Sequence, residues 1–226
     1  MKFLTLKNNF LALSFLALTS LSSGLVTACT TSQNQAEAPK TTDVSDKQMN
    51  HGAMNHSMSM DLGPADANFD LRFIDAMIPH HQGATEMAKE ALQKSKRPEI
   101  KKLADNIIQA QNQEIQQMQQ WRKTWYANVG DKPMVYDTKM GHTMEMSSEQ
   151  KQSMMMSMDL GAADSEFDLR FIDGMIPHHQ GAVTMATEAL NKSKRPEIKK
   201  LAQEIIASQN AEINQMKQWR KAWYNK

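Results

Sequence analysis

Met77-Ile78-Pro79-His80-His81-Gln82-Gly83-Ala84 is the stretch on which the fold turns, and it recurs as Met175-Ile176-Pro177-His178-His179-Gln180-Gly181-Ala182. Both copies set two adjacent histidines inside an apolar, methionine-containing pattern. Working outward, Phe69, Phe73, Met77, His80, Ala84, Met87 and Ala91 recur at spacings of three and four, the period of an amphipathic helix. Asp66 and its copy Asp164 are the expected N-caps. Pro79 cannot donate to the Asp75 carbonyl, which predicts a kink or a short irregular turn beside the histidines. Lys94 to Arg97 brings basic residues to the helix C-terminus, and Pro98 suits the first turn of the next helix.

The next helix shows Ile100, Ala104, Ile107, Gln111, Glu114, Met118, Trp121 and Trp125 at the same spacing, apolar at both ends and polar in the middle. Its copy runs Ile198, Ala202, Ile205, Gln209, Glu212, Met216, Trp219 and Trp223. Residues Met58–Tyr126 and Met156–Tyr224 align without a gap at an offset of 98, with most positions identical, so the chain contains a duplication. Each copy reads as a helical hairpin that cannot bury its apolar face alone. The expected fold is therefore all-α: an antiparallel four-helix bundle made of two duplicated hairpins.

Composition narrows the function. A net charge of +1 gives no electrostatic case for nucleic acid. The single cysteine, Cys29, excludes an intramolecular disulfide and a cysteine metal cluster. Lys2 and Lys7 followed by the apolar run Phe10–Leu21 read as a secretory signal, too short for a stable transmembrane helix. Val26-Thr27-Ala28-Cys29 resembles a bacterial lipobox, so Cys29 is the expected lipidated residue. The alternative is a soluble secreted protein cut after Ala28. Thr30 and Thr31, with no aspartate, point to the outer membrane. The expected layout is a signal peptide over 1–28, a disordered tether over 29–60, a hairpin over 61–126, a linker over 127–157 and a second hairpin over 158–226.

The 19 methionines are the anomaly in this composition. Two tracts too polar to be core carry many of them. The first includes His51, Met54, His56, Met58 and Met60; the second runs from Met134 through Met140, His142, Met144 and Met146 to Met158. Such spacings on a flexible backbone place soft ligands close together. Thioether sulfur prefers Cu(I) and Ag(I) to oxygen-seeking cations, and imidazole binds either copper oxidation state. Incidental methionine enrichment is the bland alternative, but a hydrophobic tract would carry Leu and Ile as well.

Within the hairpins, Met77, His80, Ala84 and Met87 share a face, and His81 sits one position round. In an antiparallel hairpin His80 and Met77 should meet Gln111, Glu114 and Met118, giving one metal site between two helices, made twice. Taken singly, each residue has a structural reading. His81 or His179 could cap the carbonyl freed by proline, Met87 and Met185 could be packing, and Glu114 could pair with Arg72 or His80. A ferritin-like di-metal oxidase would use Glu-x-x-His pairs; none stands here. A structural or adhesive lipoprotein is the third possibility.

Phe-Ile-Asp-x-Met-Ile-Pro-His-His-Gln-Gly-Ala-x-x-Met-Ala followed by Gln-x-x-Glu-Ile-x-x-Met resembles the CopM-like family of bacterial domains of unknown function, over Phe69–Met118 and again over Phe167–Met216. The resemblance implies a ferritin-like bundle. It also implies binding of Cu(I), and of silver, outside the cytoplasm in copper tolerance, with copper efflux or sensor proteins as candidate partners. Position by position it points to Met77, His80, His81 and Met87, then Met175, His178, His179 and Met185. Glu114 and Glu212 match the second part of the motif.

Overall fold

The computed structural model describes residues 61–226. Four long helices carry the repeat: α1 (Phe69–Lys94), α2 (Pro98–Trp125), α4 (Phe167–Lys192) and α5 (Pro196–Tyr224). Between them lie strands β1 (Met134–Asp137) and β2 (His142–Glu145) and the short helix α3 (Ser148–Met155). Among the described residues no helix is long and apolar enough to cross a membrane.

The N-caps of α1 and α4 are Asn68 and Glu166, not the expected aspartates. Asp66 works one turn earlier: its carboxylate accepts from the Asn68 N–H at 2.9 Å and pairs with Arg72 at 2.9 Å. Asp164 does the same with Glu166 and Arg170. Aspartate stabilises such a pre-helical turn through its own side chain. Both helices also run without interruption through Pro79 and Pro177, where an irregular turn was expected. Pro98 and Pro196 occupy the first turns of α2 and α5, where a missing N–H costs nothing.

Helix α1 packs against α2, α4 against α5, and α1 against α4. Two apolar clusters result. In one, Phe69, Phe73 and Met77 from the start of α1 meet Met118, Ala189 from the end of α4, and Ile198 and Ile205. In the other, Met87 and Ala91 from the end of α1 meet Phe167, Phe171 and Met175 from the start of α4. Helices α1 and α4 therefore run in opposite directions, and the two His-His pairs fall between the clusters, at the middle of both. Each fully buried Phe, Ile or Met side chain contributes about 1.5–3 kcal/mol.

The contacts nearly repeat when every residue is moved by 98 positions. Arg97 pairs with Asp168 at 3.5 Å and lies 4.2 Å from the Trp223 ring centroid. Arg195 makes the same two contacts with Asp70 and Trp125. Trp121 stacks on Trp125, and Trp219 on Trp223. Lys94 reaches the Gly161 carbonyl and Lys192 the Gly63 carbonyl. The turn of each hairpin thus clasps the start of the other.

The segment between the repeats departs from both the all-α expectation and the flexible-tract reading. Strands β1 and β2 pair antiparallel, Met134 opposite Glu145 and Asp137 opposite His142. Asp137 closes their turn by accepting from the Lys139 and Met140 N–H groups, and Gly141 supplies the left-handed residue at φ +71°. A capping box between Ser147 and Gln150 starts α3. This segment packs on α1. Arg72 donates to Thr143, Tyr136 lies against Arg72, and Asp75 accepts from the Met134 N–H and pairs with Arg122.

Candidate metal centre

At 3.6 residues per turn an α-helix advances each successive side chain by about 100°, so adjacent histidines cannot face the same neighbour. In α1, His80 faces α4 and His81 faces α2. The His80 and His178 rings meet across the α1–α4 contact, centroids 3.9 Å apart and planes inclined at 52°. His81 Nε2 lies 2.6 Å from a Glu114 carboxylate oxygen, and His179 Nε2 lies 2.6 Å from Glu212. His81, not His80, therefore meets Glu114. The histidine pair bridges the two hairpins instead of lying inside each. Neither His81 nor His179 caps the proline-freed carbonyl, because each Nε2 is engaged by its glutamate.

Hydrogen bonding assigns the tautomers. An ionised carboxylate only accepts, so Nε2 of His81 and of His179 carries the proton in the neutral ring. His178 Nε2 lies 3.0 Å from the Met155 carbonyl, which also only accepts. In the neutral form of all three rings the lone pair is thereby left on Nδ1. Among the described residues the Nδ1 atoms of His80, His81, His178 and His179 are buried without partners, as is Nε2 of His80. All four rings are at most 1 % exposed. Burial pushes the pKa of His178 down to about 3, and that of His80 well below the usual imidazole range; the neighbouring histidines push in the same direction. Both rings are neutral at neutral pH and keep their lone pairs.

A buried polar atom without a partner costs about 1–3 kcal/mol, and five such nitrogens in one place, one of them the N–H donor of His80, call for a chemical role. Neutral imidazole nitrogen is a ligand for copper, zinc, iron and nickel. Among the described residues no three His, Cys, Asp or Glu side chains converge as a preformed metal cage. Further ligands would have to be thioethers, backbone or the tracts.

The core methionines divide between the two apolar clusters. Met77, Met118 and Met185 belong to one; Met87, Met175 and Met216 belong to the other. Met77 and Met118 thus share a level across α1 and α2, as an antiparallel hairpin demands. In the second tract Met140 and His142 are exposed, Met144 is half-buried and Met146 is buried. Cys29, His51, Met54, His56, Met58 and Met60 lie outside the described residues.

Sequence reasoning missed the Met155 carbonyl and the close approach it makes to Gly83. A Cβ at Gly83 would collide with that carbonyl. The signal was present: a glycine inside a strongly periodic helix marks a close backbone approach.

The chain is similar to several known proteins. CopM in its Cu(II)-bound form is 46 % identical, covers 69 % of this chain and 97 % of its own, and superposes with a TM-score of 0.55. Its Cu(I)-bound form gives 43 % identity, the same coverage and a TM-score of 0.53, and its silver-soaked form gives 42 %, the same coverage and 0.54. A DUF305 fragment from Deinococcus radiodurans is 28 % identical over 68 % of this chain and 95 % of its own, at a TM-score of 0.51. The uncharacterized protein L153 of Acanthamoeba polyphaga mimivirus is 51 % identical over 49 residues, 22 % of this chain. The matched region spans about a third of that relative, 32 % of its length. The family model for a domain of unknown function, DUF305, matches residues 22–122 and 70–220. Those matches take in both copies of the histidine motif, and the chain belongs to the DUF305 family.

Proposed function

We propose that this protein binds copper, preferring Cu(I) and accepting Ag(I), at the buried histidines where its two hairpins meet. The observation that carries the reading is the neutral His80–His178 pair, buried with unpartnered ring nitrogens. Relatives that cover most of this chain are described with Cu(I), Cu(II) and silver bound. His80 and His178 are the central nitrogen donors, and His81 and His179 offer Nδ1. Glu114 and Glu212 act through their histidines: each holds the Nε2–H tautomer and so directs Nδ1 toward the metal. Met77, Met118, Met175 and Met216 are the candidate thioether donors from the core. The exposed thioether Met140 and the imidazole of His142 suit capture and exchange.

The wider proposal is a four-helix, ferritin-like bundle that sequesters or delivers copper in the periplasm and has no catalytic role. A lipid on Cys29 would tether it to the outer membrane, and copper efflux or sensor proteins are candidate partners. Lipid labelling of the exported protein that is lost on Cys29→Ser tests the anchor. Anaerobic Cu(I) titration against a coloured chelator tests the binding. Comparison of the wild type with His80→Ala/His178→Ala and with a deletion of Met49–Met60 separates the sites. Tight binding lost in the histidine variant supports the reading. Loss only on deletion assigns copper to the tract, and no competition at all overturns copper binding.

A further inference from the structure

The near two-fold repetition of contacts fails in one place. The α1 face is covered by β1, β2 and α3, so Arg72, Asp75 and Pro79 are buried and Gln82 is half-buried. Their copies on α4 are open: Asp173, Pro177 and Gln180 are exposed and Arg170 is half-exposed. Asp75 accepts a backbone N–H from Met134, while among the described residues Asp173 pairs with Arg220 alone. The histidines show the same asymmetry. His178 donates to the Met155 carbonyl, but among the described residues its copy His80 has neither ring nitrogen satisfied.

The segment that covers α1 is the one running into the second repeat, so its counterpart is the segment running into the first. Residue 57 is the counterpart of Met155 and residue 181 that of Gly83. The chain before residue 61 ends at the right point: Met58-Ser59-Met60-Asp61-Leu62-Gly63 repeats Met156-Ser157-Met158-Asp159-Leu160-Gly161. We propose that residues 54–59 seat on the open face of α4 at Pro177 and Gln180, over the buried Gly181, with the Ser57 carbonyl accepting from His80.

Met155 makes its two contacts through its backbone carbonyl. The change from methionine to serine at position 57 therefore leaves the required group in place. Gly181, like Gly83, has no Cβ to block it. The equivalence stops before Met60. Met158 places its sulfur where a Cβ at Gly174 would stand, but the copy of Gly174 is Ala76, which has that atom. The seating needs no metal and does not depend on the copper reading.

The test uses the metal-free full chain carrying Cys29→Ser and Asn55→Cys, with a spin label on the new cysteine. Asn55 corresponds to Ser153, which is exposed on α3, so the label would point to solvent. Expected is strong paramagnetic broadening of the Gln180–Thr184 amides and little at the corresponding Gln82–Glu86. The Gly181→Ala variant should lose that broadening while keeping its far-UV helical signal. Mixing spin-labelled unenriched chains with unlabelled isotope-enriched chains reports contact between copies. Absence of broadening at α4, its survival in Gly181→Ala, or its appearance only in the mixed sample would overturn the proposal; the last result would assign the face to a second copy.

Discussion

His178 and His80 show what a buried imidazole does to the proton balance of folding. The unfolded rings titrate near pH 6.5, whereas the folded His178 titrates at about 3 and His80 also well below the ordinary value. Between those values the unfolded state holds more protons, so stability is fully present above pH 6.5 and falls as the pH drops toward 3. Each such histidine contributes a slope of about 1.4 kcal/mol per pH unit within the window. Urea unfolding of metal-free protein at pH 7, 6, 5 and 4 should show this decline, and His178→Gln should make it shallower. Glu114 acts through geometry. Glu114→Ala should weaken Cu(I) binding by about 10–100-fold, the usual range for a group orienting a metal-bound histidine. Glu114→Gln, which still accepts from Nε2–H, should lose less; equal losses in both would make Glu114 a direct ligand. That histidines and glutamates of each repeat come together was legible because their spacing occurs twice. Which histidine meets which partner was not, because the neighbour of each helical face depends on the rotation of α1 against α2 and α4.

At the scale of elements, duplicated parts sit in different surroundings. Arg122 and Asp75 form a pair 16 % and 2 % exposed beneath the β-hairpin, while Arg220 and Asp173 form the copy at 35 % and 43 %. Burial raises the Asp75 pKa, and Arg122 is its principal compensation, with the Met134 N–H adding to it. Arg122→Ala should destabilise the protein by about 3–5 kcal/mol, as expected when a buried partner is removed. Arg220→Ala should cost about 0–1 kcal/mol, the worth of an exposed pair. Chemical denaturation of the two variants checks the contrast. Gly83→Ala should displace α3, break the Met155–His178 hydrogen bond and increase proteolysis of the 127–157 segment. The long helices were readable from their three/four periodicity. The β-hairpin was not: Val135, Tyr136 and Thr143 are its only strong strand formers, and the pairing of Val135 with Met144 and of Tyr136 with Thr143 depends on docking against Arg72 and Asp75.

For the whole molecule, the duplication puts the histidine pair on the pseudo-two-fold contact, so neither hairpin contains both rings. Sequence periodicity predicted two hairpins that need each other. It could not show that Arg97 and Arg195 reach across to the opposite repeat, because such contacts have no local spacing. Each arginine joins a cation–π contact to an ion pair, the former worth about 0.5–1 kcal/mol at an exposed site. Arg97→Ala with Arg195→Ala should lower stability by about 1–4 kcal/mol, the two sites contributing nearly additively because they share no partners. A thermal unfolding series of single and double variants measures this.

All four tryptophans of the chain stand in those two clasps, in stacked pairs at the ends of α2 and α5, and in each clasp one indole lies under an arginine from the other repeat. Intrinsic emission is therefore an optical gauge of how closely the two repeats are held. Far-UV dichroism counts helical residues regardless of that separation. Heated together, the two signals would distinguish a molecule that melts from one that first comes apart into intact hairpins, with no dye or introduced probe.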